Sequence, residues 1–118
     1  MLEQIIIHGM AVPTIIGVYD WERTEPQTLL LDIVLGCDLK AACVSDNVND
    51  TIDYAKVQET ILAVGKESHF ELLEALAEKV CRVLFERFPI RSIDLTIVKP
   101  NILENVSKVA VRVVRERS

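Results

Sequence analysis

Four side chains in this sequence carry groups that accept or exchange protons in enzymes: Glu22, Tyr54, Glu74 and Lys99. Each also has an ordinary structural explanation. Glu22 would be a solvated loop carboxylate, and Tyr54 a half-buried ring at a helix boundary. The helix dipole favours an acid such as Glu74 near any helix start, and a lysine such as Lys99 commonly protects a strand edge. Taken one at a time, these residues assign no chemistry.

Metal and phosphate sites have weaker support. His8 and His69 lie in different predicted elements, with no Cys or carboxylate at ligand spacing, and glycine-rich phosphate loops and nucleophile elbows are absent. The three cysteines, Cys37, Cys43 and Cys81, form no CxxC pair. An odd number spread through apolar segments is typical of buried free thiols in a reducing compartment. We therefore expect a cytoplasmic protein with no metal and no cofactor.

Length and composition predict one globular domain over residues 1–118, since half of the residues are hydrophobic and 26% are charged. The formal charge of −5 argues against a nucleic-acid surface. The N-terminal segment lacks basic residues, and His8 interrupts its apolar run. We therefore expect neither a signal peptide nor association with a membrane.

Strand patterns dominate the first half of the chain. Residues 5–16 are rich in β-branched side chains, with irregularities predicted at Gly9 and Pro13. In residues 27–39, every second side chain from Leu29 to Cys37 is apolar, which predicts one buried face. The connection over 17–26 is too long for a tight turn and is rich in aromatic and acidic residues. Such loops often carry function.

A polar connection over 40–49, with room for one helical turn, comes next, and two helices are predicted after it. Thr51–Asp53 is a candidate N-cap of the first of them. The first has apolar side chains at helical spacing from Tyr54 to Val64. The second has an apolar stripe that stops before Pro89. Its start is ambiguous, because Ser68 and Glu71 make a capping box whereas the helix could also begin near Leu72.

Alternation returns over 92–98 and 109–114, which predicts two further strands. The order β-β-α-α-β-β implies an α+β fold, an antiparallel four-stranded sheet with two helices on one face. The other face would carry apolar side chains that a small monomer cannot cover: Val34, Val98, Ala110 and Val114. Together with the two free sheet edges, this predicts an oligomer.

Four sequence blocks resemble those of the dihydroneopterin aldolase family in their order and spacing. They are Ile-Gly-Val-Tyr-Asp-Trp-Glu at 16–22, Ser-Asp-Asn-Val at 45–48 leading into Thr-Ile-Asp-Tyr at 51–54, Leu-Leu-Glu-Ala-Leu-Ala-Glu at 72–78, and Val-Lys-Pro at 98–100. The resemblance extends from residue 5 to residue 116. It implies the tunnelling fold, with subunits joined as a tetrameric barrel ring, two rings stacked into an octamer, and active sites between subunits.

The resemblance also implies roles for individual residues. Glu74 would bind the amino-pyrimidine edge of a pterin, aided by backbone groups of Leu73 and of Ile52 from the neighbouring subunit. A free N–H at Leu73 requires the later helix start, near Leu72, so we favour that start over the Ser68 capping box. Lys99 would be the general acid/base, assisted by Tyr54 of the neighbouring subunit, and Glu22 would hold both substrate and Lys99.

The implied reaction is a metal-free retro-aldol cleavage of dihydroneopterin in folate biosynthesis, without a Schiff base, because the pterin ring is its own electron sink. Epimerisation of the side chain would follow from the same intermediates. One alternative is a paralogue that epimerises dihydroneopterin triphosphate, in which basic residues should line the side-chain end of the pocket. Another is a non-catalytic pterin-binding ring, which would have no need of Lys99 and Glu22 as a proton shuttle.

Overall fold

The computed structural model describes residues 3–118, except the side chains of residues 101 and 102. Its four strands are β1 (Glu3–Thr14), β2 (Gln27–Cys37), β3 (Ser92–Leu103) and β4 (Val106–Glu116). Three α-helices lie between β2 and β3: the short α1 (Lys40–Ser45), α2 (Tyr54–Glu67) and α3 (Leu73–Arg87). Met1 and Leu2, at the start of the segment tested above for a signal peptide, lie outside the described residues.

The strands form one antiparallel sheet in the order β1-β2-β3-β4, so the predicted α+β architecture is confirmed. The pairing register aligns the buried faces, with Leu35 opposite Ile93 and Leu31 opposite Ile97. α2 packs on β1, whereas α3 packs on β3 and β4. The core therefore fills the space between the helices and one face of the sheet.

The alternation in β2 buries the predicted face from Leu29 to Cys37, because successive side chains of a strand point to opposite sides. The strand ends at Cys37, two residues earlier than predicted. In β1 the register shifts between Ile7 and Met10, where Gly9 has φ +70°, so the predicted irregularity at this glycine is confirmed.

The irregularity predicted at Pro13 is wrong, because this residue continues the β1 ladder opposite Thr28. β1 is an edge strand of the sheet in this chain, and an edge strand tolerates proline because one side of its backbone needs no partner.

The start of the second predicted helix was ambiguous between Ser68 and Leu72. In the structure, α3 begins at Leu73, with Leu72 as its N-cap, and ends at Arg87, before Pro89. The later start is therefore confirmed.

The sheet face opposite the helices carries both apolar and charged side chains. Ile6, Leu30 and Val114 are exposed there. Beside them, Arg112 makes two hydrogen bonds to Asp94 across the β3–β4 pair, at 2.9 and 2.7 Å. Of the four residues that the sequence places on this face, Ala110 and Val114 are exposed, whereas Val34 and Val98 are partly buried. None of the helices within residues 3–118 is long and apolar enough to cross a membrane.

Candidate active site

A buried ion pair joins the loop after β1 to the far end of β3. Lys99 Nζ lies 2.6 Å from Glu22 Oε2, and the two side chains are 10% and 5% exposed. Lys99 shares the helix-facing side of β3 with the core residues Leu95 and Ile97, since odd-numbered side chains of this strand point inward. β3 is an interior strand, so Lys99 does not protect a sheet edge. Glu22 is likewise not a solvated carboxylate.

Local backbone structure turns Glu22 inward. A 3-10 turn, Asp20–Glu22, follows Tyr19, whose backbone N–H donates to Glu22 Oε1 at 3.4 Å. The side-chain amide of Gln27 donates to the backbone carbonyls of Glu22 and Ile16, at 2.9 and 3.2 Å. The loop is therefore closed on itself, and its carboxylate is presented to the end of β3.

Electrostatics at the pair keep Glu22 charged. The hydrogen bond from Lys99 lowers the pKa of the Glu22 carboxyl below its ordinary value. Burial acts in the opposite direction, and the N–H of Tyr19 adds to the lowering of this pKa. The hydrogen bond to Lys99 is the largest of these effects, so the carboxylate stays ionised although water is largely excluded from it.

The segment that leads into α3 is hydrogen-bonded to the loop that carries Glu22, since the backbone N–H of Gly17 donates to Phe70 O at 3.3 Å. β3 begins where α3 ends, and a helix of this length spans roughly 22 Å, about the same as the part of β3 from Ser92 to Lys99. Lys99 is therefore level with the first turn of the helix. At that turn, the N–H groups of Leu73 and Glu74 have no intrahelical acceptor, and the side chain of Glu74 is exposed. This turn thus offers backbone donors and a carboxylate at the end of the sheet where Lys99 lies.

Ile52 and Tyr54 lie near the start of the edge strand β1, away from Lys99. They line a depression of about 480 Å³ together with Ile5, Ile6 and Ile7. Lys99 is level with the opposite end of β1, near Ala11, because its neighbour Val98 pairs with Leu30 and Leu30 pairs with Ala11. From Ile6 to Ala11 the strand rises roughly 15 Å, so a wide gap separates Tyr54 from Lys99 within one chain. The Tyr54 ring is 67% exposed rather than half-buried.

Of the six residues selected from the sequence, Glu22 and Lys99 are in direct contact, and Leu73 and Glu74 lie at the same end of the fold. Glu22, Leu73, Glu74 and Lys99 form one group, which we call the lysine half-site; Ile52 and Tyr54 form a second group, which we call the tyrosine half-site. Asp53 is the N-cap of α2, as the sequence predicts, and its carboxylate accepts the N–H of Ala55. This cap fixes the backbone between the two residues of the tyrosine half-site.

Sequence reasoning missed the residues that hold the loop. Arg23 and Gln27 donate to backbone carbonyls, and no sequence pattern marks a carbonyl as an acceptor. Gly17 has φ +138° and lies against Glu22, a close approach for which only the glycine itself was a signal.

The histidines and cysteines are the remaining reactive side chains. His8 Nδ1 lies 3.0 Å from Asp32, and within residues 3–118 no group of three or more His, Cys, Asp or Glu side chains could hold a metal ion. All three cysteines are free thiols. The prediction that they are buried is correct for Cys37 and Cys81 but wrong for Cys43, which α1 exposes.

Comparison with known proteins identifies a family whose sequences match this chain. The family profile for dihydroneopterin aldolase matches residues 5–114. Dihydroneopterin aldolase of Escherichia coli is 34% identical over 114 residues, which cover 97% of this chain and 93% of that protein. The profile match includes every residue of the two half-sites.

The backbone of this chain superposes on those of several solved structures. The crystal structure of Escherichia coli dihydroneopterin aldolase in complex with neopterin matches with a TM-score of 0.92 at 34% identity, covering 97% of this chain and 99% of that one. Urate oxidase from a Bacillus species shares the tunnelling fold alone, with a TM-score of 0.63 at 12% identity over 98% of this chain and 45% of its own. With the sequence matches, these findings show that the chain belongs to the dihydroneopterin aldolase family, enzymes of folate biosynthesis.

Proposed function

We propose that this protein cleaves dihydroneopterin to a hydroxymethyl dihydropterin and glycolaldehyde. The observation that carries the proposal is the buried Glu22–Lys99 pair beside the open first turn of α3. A protein that only binds a pterin has no use for a desolvated lysine at this place, because burying an ion pair costs solvation energy. Family membership supports the reaction, and the related Escherichia coli enzyme binds neopterin.

The first turn of α3 recognises the pterin in this proposal. The exposed carboxylate of Glu74 accepts two hydrogen bonds from the amino-pyrimidine edge, a bidentate arrangement that suits a carboxylate. The free N–H of Leu73 donates to the ring, and a backbone group of Ile52 from a neighbouring subunit completes the contact. The helix dipole favours the negative charge of Glu74 at this end of α3.

Lys99 exchanges the protons of the reaction. A proton leaves the hydroxyl on the second side-chain carbon, a C=O bond forms there, and the bond between the first and second side-chain carbons breaks. The electron pair of that bond moves into the ring imine. Protonation of the first side-chain carbon then gives the hydroxymethyl product. Glu22 holds Lys99 Nζ in place, and Tyr54 from the neighbouring subunit assists the proton transfers.

The active site is shared between subunits in this proposal. Within one chain, the tyrosine half-site lies too far from Lys99 to touch a pterin bound there. β1 and β4 are the outer strands of the chain's sheet, and apolar side chains such as Ile6 and Val114 are exposed on its helix-free face. A tetrameric ring that joins outer strands would cover this face and bring the two half-sites together. Two such rings would stack into an octamer.

The same intermediates allow epimerisation. If the C–C bond re-forms before glycolaldehyde leaves, the aldehyde can present its other face, and the second side-chain carbon is inverted. We place the enzyme in the cytoplasm, where free thiols such as Cys37 and Cys81 stay reduced.

Product analysis tests the proposal. Purified protein is incubated with dihydroneopterin and, separately, with its triphosphate, and glycolaldehyde and the epimer are followed by chromatography. Glycolaldehyde from the unphosphorylated substrate is the expected result. Epimer from the triphosphate with little cleavage would identify a triphosphate epimerase instead, and no product from either would favour a pterin-binding ring.

Two variants separate binding from chemistry in the same assay. Lys99→Ala should abolish glycolaldehyde release while pterin binding remains measurable, because Lys99 acts only on the side chain. Glu74→Ala should lose pterin affinity itself. Unchanged affinity in Glu74→Ala would remove this carboxylate from pterin recognition.

A further inference from the structure

Arg23, the residue after Glu22, directs its guanidinium at backbone carbonyls rather than at a carboxylate. Nη1 donates to Gly17 O at 3.0 Å and to Phe70 O at 3.3 Å, and Nη2 donates to His69 O at 2.9 Å. Gly17 belongs to the loop that carries Glu22. His69 and Phe70 belong to the segment that leads into α3. One side chain therefore bridges the loop that carries Glu22 and the segment that leads into α3.

Few other contacts cross this junction. Among the described residues, the backbone N–H of Gly17 also donates to Phe70 O, at 3.3 Å. The hydrogen bonds of Gln27 stay within the loop. A planar guanidinium with five N–H donors can serve three carbonyls at once, which an ammonium group on a flexible stem cannot do with the same geometry. Arg23 thus provides most of the hydrogen bonding between the loop and the entrance to α3.

The two segments are not equally anchored. α3 is held by core side chains from its first turn onward, since Leu73, Leu76 and Ala77 are buried. In the loop over 17–26, the side chains of Val18, Tyr19 and Trp21 are exposed. Only Gly17 and Glu22 are buried in this loop. If the bridge is removed, we expect the loop to move while the start of α3 stays in place.

We propose that Arg23 is a positioning residue that sets the distance between the Glu22–Lys99 pair and the first turn of α3. The proposal rests on the function proposed above, in which those two groups act on the side chain and on the ring of one substrate. Its consequence is specific. Loss of Arg23 should impair the proton transfer that Glu22 supports and should leave recognition of the pterin ring by Glu74 largely intact.

Arg117 offers a matched control at the opposite end of α3. Its guanidinium also donates to three carbonyls, those of Phe85, Phe88 and Ile90, at 2.7 to 2.8 Å. Arg117→Ala therefore removes three carbonyl contacts as Arg23→Ala does, together with a cation–π contact to the Phe85 ring at 5.2 Å, and it does so far from the lysine half-site. Arg23→Lys keeps the charge and the stem but loses the planar fork, and it serves as the test variant if Arg23→Ala does not fold.

Three measurements test the proposal: kcat for glycolaldehyde release, Kd for hydroxymethylpterin, and the fluorescence anisotropy of Trp21. Trp21 is the single tryptophan of the chain, and it lies in the loop between Tyr19 and Arg23. For Arg23→Ala we expect kcat to fall about tenfold or more, a near-unchanged Kd and lower anisotropy, since small misplacements of reacting groups cost large factors in rate. Arg23→Lys should lie between wild type and Arg23→Ala, and Arg117→Ala should match wild type in all three.

Each outcome decides one question. An inactive wild-type protein would refute the proposed function, whatever Arg23 does to the anisotropy. An active wild type with unchanged kcat in Arg23→Ala would refute the positioning role alone. An equal loss of kcat in Arg117→Ala would show that such arginines act through stability, and it would overturn the role of Arg23 as well.

Discussion

Gly17 and Glu22 lie in such close contact that no side chain fits between them. A Cβ atom added to Gly17 would lie 2.5 Å from Glu22 Cβ, 2.7 Å from Cδ and 2.8 Å from Oε2. Gly17 also has φ +138°, a conformation that L side chains rarely adopt. The glycine therefore allows the loop to fold back over its own carboxylate and to direct it at Lys99.

Gly17→Ala should displace Glu22 and lower kcat/KM about tenfold or more, because the clash involves the base of the Glu22 side chain and cannot be relieved at its tip. Steady-state assays of glycolaldehyde release measure this effect. Gly9→Ala is the control: Gly9 has φ +70°, but a Cβ there would meet nothing within 4 Å. It should cost about 1 kcal/mol of stability and leave activity unchanged. Equal activities of the two variants would contradict the prediction.

The Lys99–Glu22 pair should be energetically coupled. Lys99→Met leaves the buried Glu22 carboxylate without its partner, and such a change typically costs about 3–5 kcal/mol. Adding Glu22→Gln removes the unpaired charge, while the amide oxygen can still accept the Tyr19 N–H. Urea unfolding at fixed protein concentration should therefore find the double variant more stable than Lys99→Met. Both variants should lack turnover. Equal stabilities would contradict the expectation that the Glu22 charge destabilises the protein once Lys99 is absent, and Glu22→Gln alone completes the double-mutant cycle.

The pH dependence of stability should report the protonation of Glu22 in the same pair. Lys99 lowers the pKa of Glu22 below its ordinary value of 4.5, so near and below pH 4.5 the unfolded chain binds a proton that the folded chain does not. The stabilisation by ionised Glu22 is fully present above that ordinary value and is lost as pH falls through the lower, folded-state pKa. The free energy of unfolding of the wild type, measured with urea, should fall over this acid range. In Glu22→Gln it should change less with pH. Glu25→Gln, at an exposed position of the same loop, should not.

Combining a variant of each half-site in one oligomer tests the shared active site. Lys99→Ala disables the lysine half-site, and Tyr54→Phe alters the tyrosine half-site. If each site takes its two halves from neighbouring subunits, co-expression in a cyclic oligomer should restore about a quarter of the sites, because half-sites pair at random. Glycolaldehyde release by the purified mixture measures this recovery. No recovery would place both residues in the same subunit's site.

Thiol labelling should distinguish the three cysteines. Cys43 is exposed on α1, whereas Cys37 and Cys81 are buried, and burial raises the pKa of Cys81 to about 11. A buried thiol with a raised pKa forms little thiolate and reacts slowly. Ellman's reagent should therefore modify one thiol per native chain quickly and all three after denaturation. Cys43→Ser should abolish the fast phase; a fast phase that persists would contradict this assignment.

The sequence by itself determined most of the elements and their buried faces. Alternation from Leu29 to Cys37 predicted the buried face of β2, and apolar spacing predicted α3 and its end before Pro89. These predictions held because side-chain periodicity within an element is a local property. The start of α3 at Leu73 was settled by the resemblance to a family, since the local capping rule favoured Ser68.

Only the tertiary structure decided how the site is assembled. Glu22 and Lys99 are 77 positions apart, and local patterns favoured a solvated carboxylate and an edge lysine. Their burial follows from strand pairing, which makes β3 an interior strand, and from a loop held by carbonyl contacts to Arg23. Backbone acceptors leave no mark in a sequence because every residue has one. The sequence therefore determined which side chains could act, and the pairing of distant segments decided which of them meet.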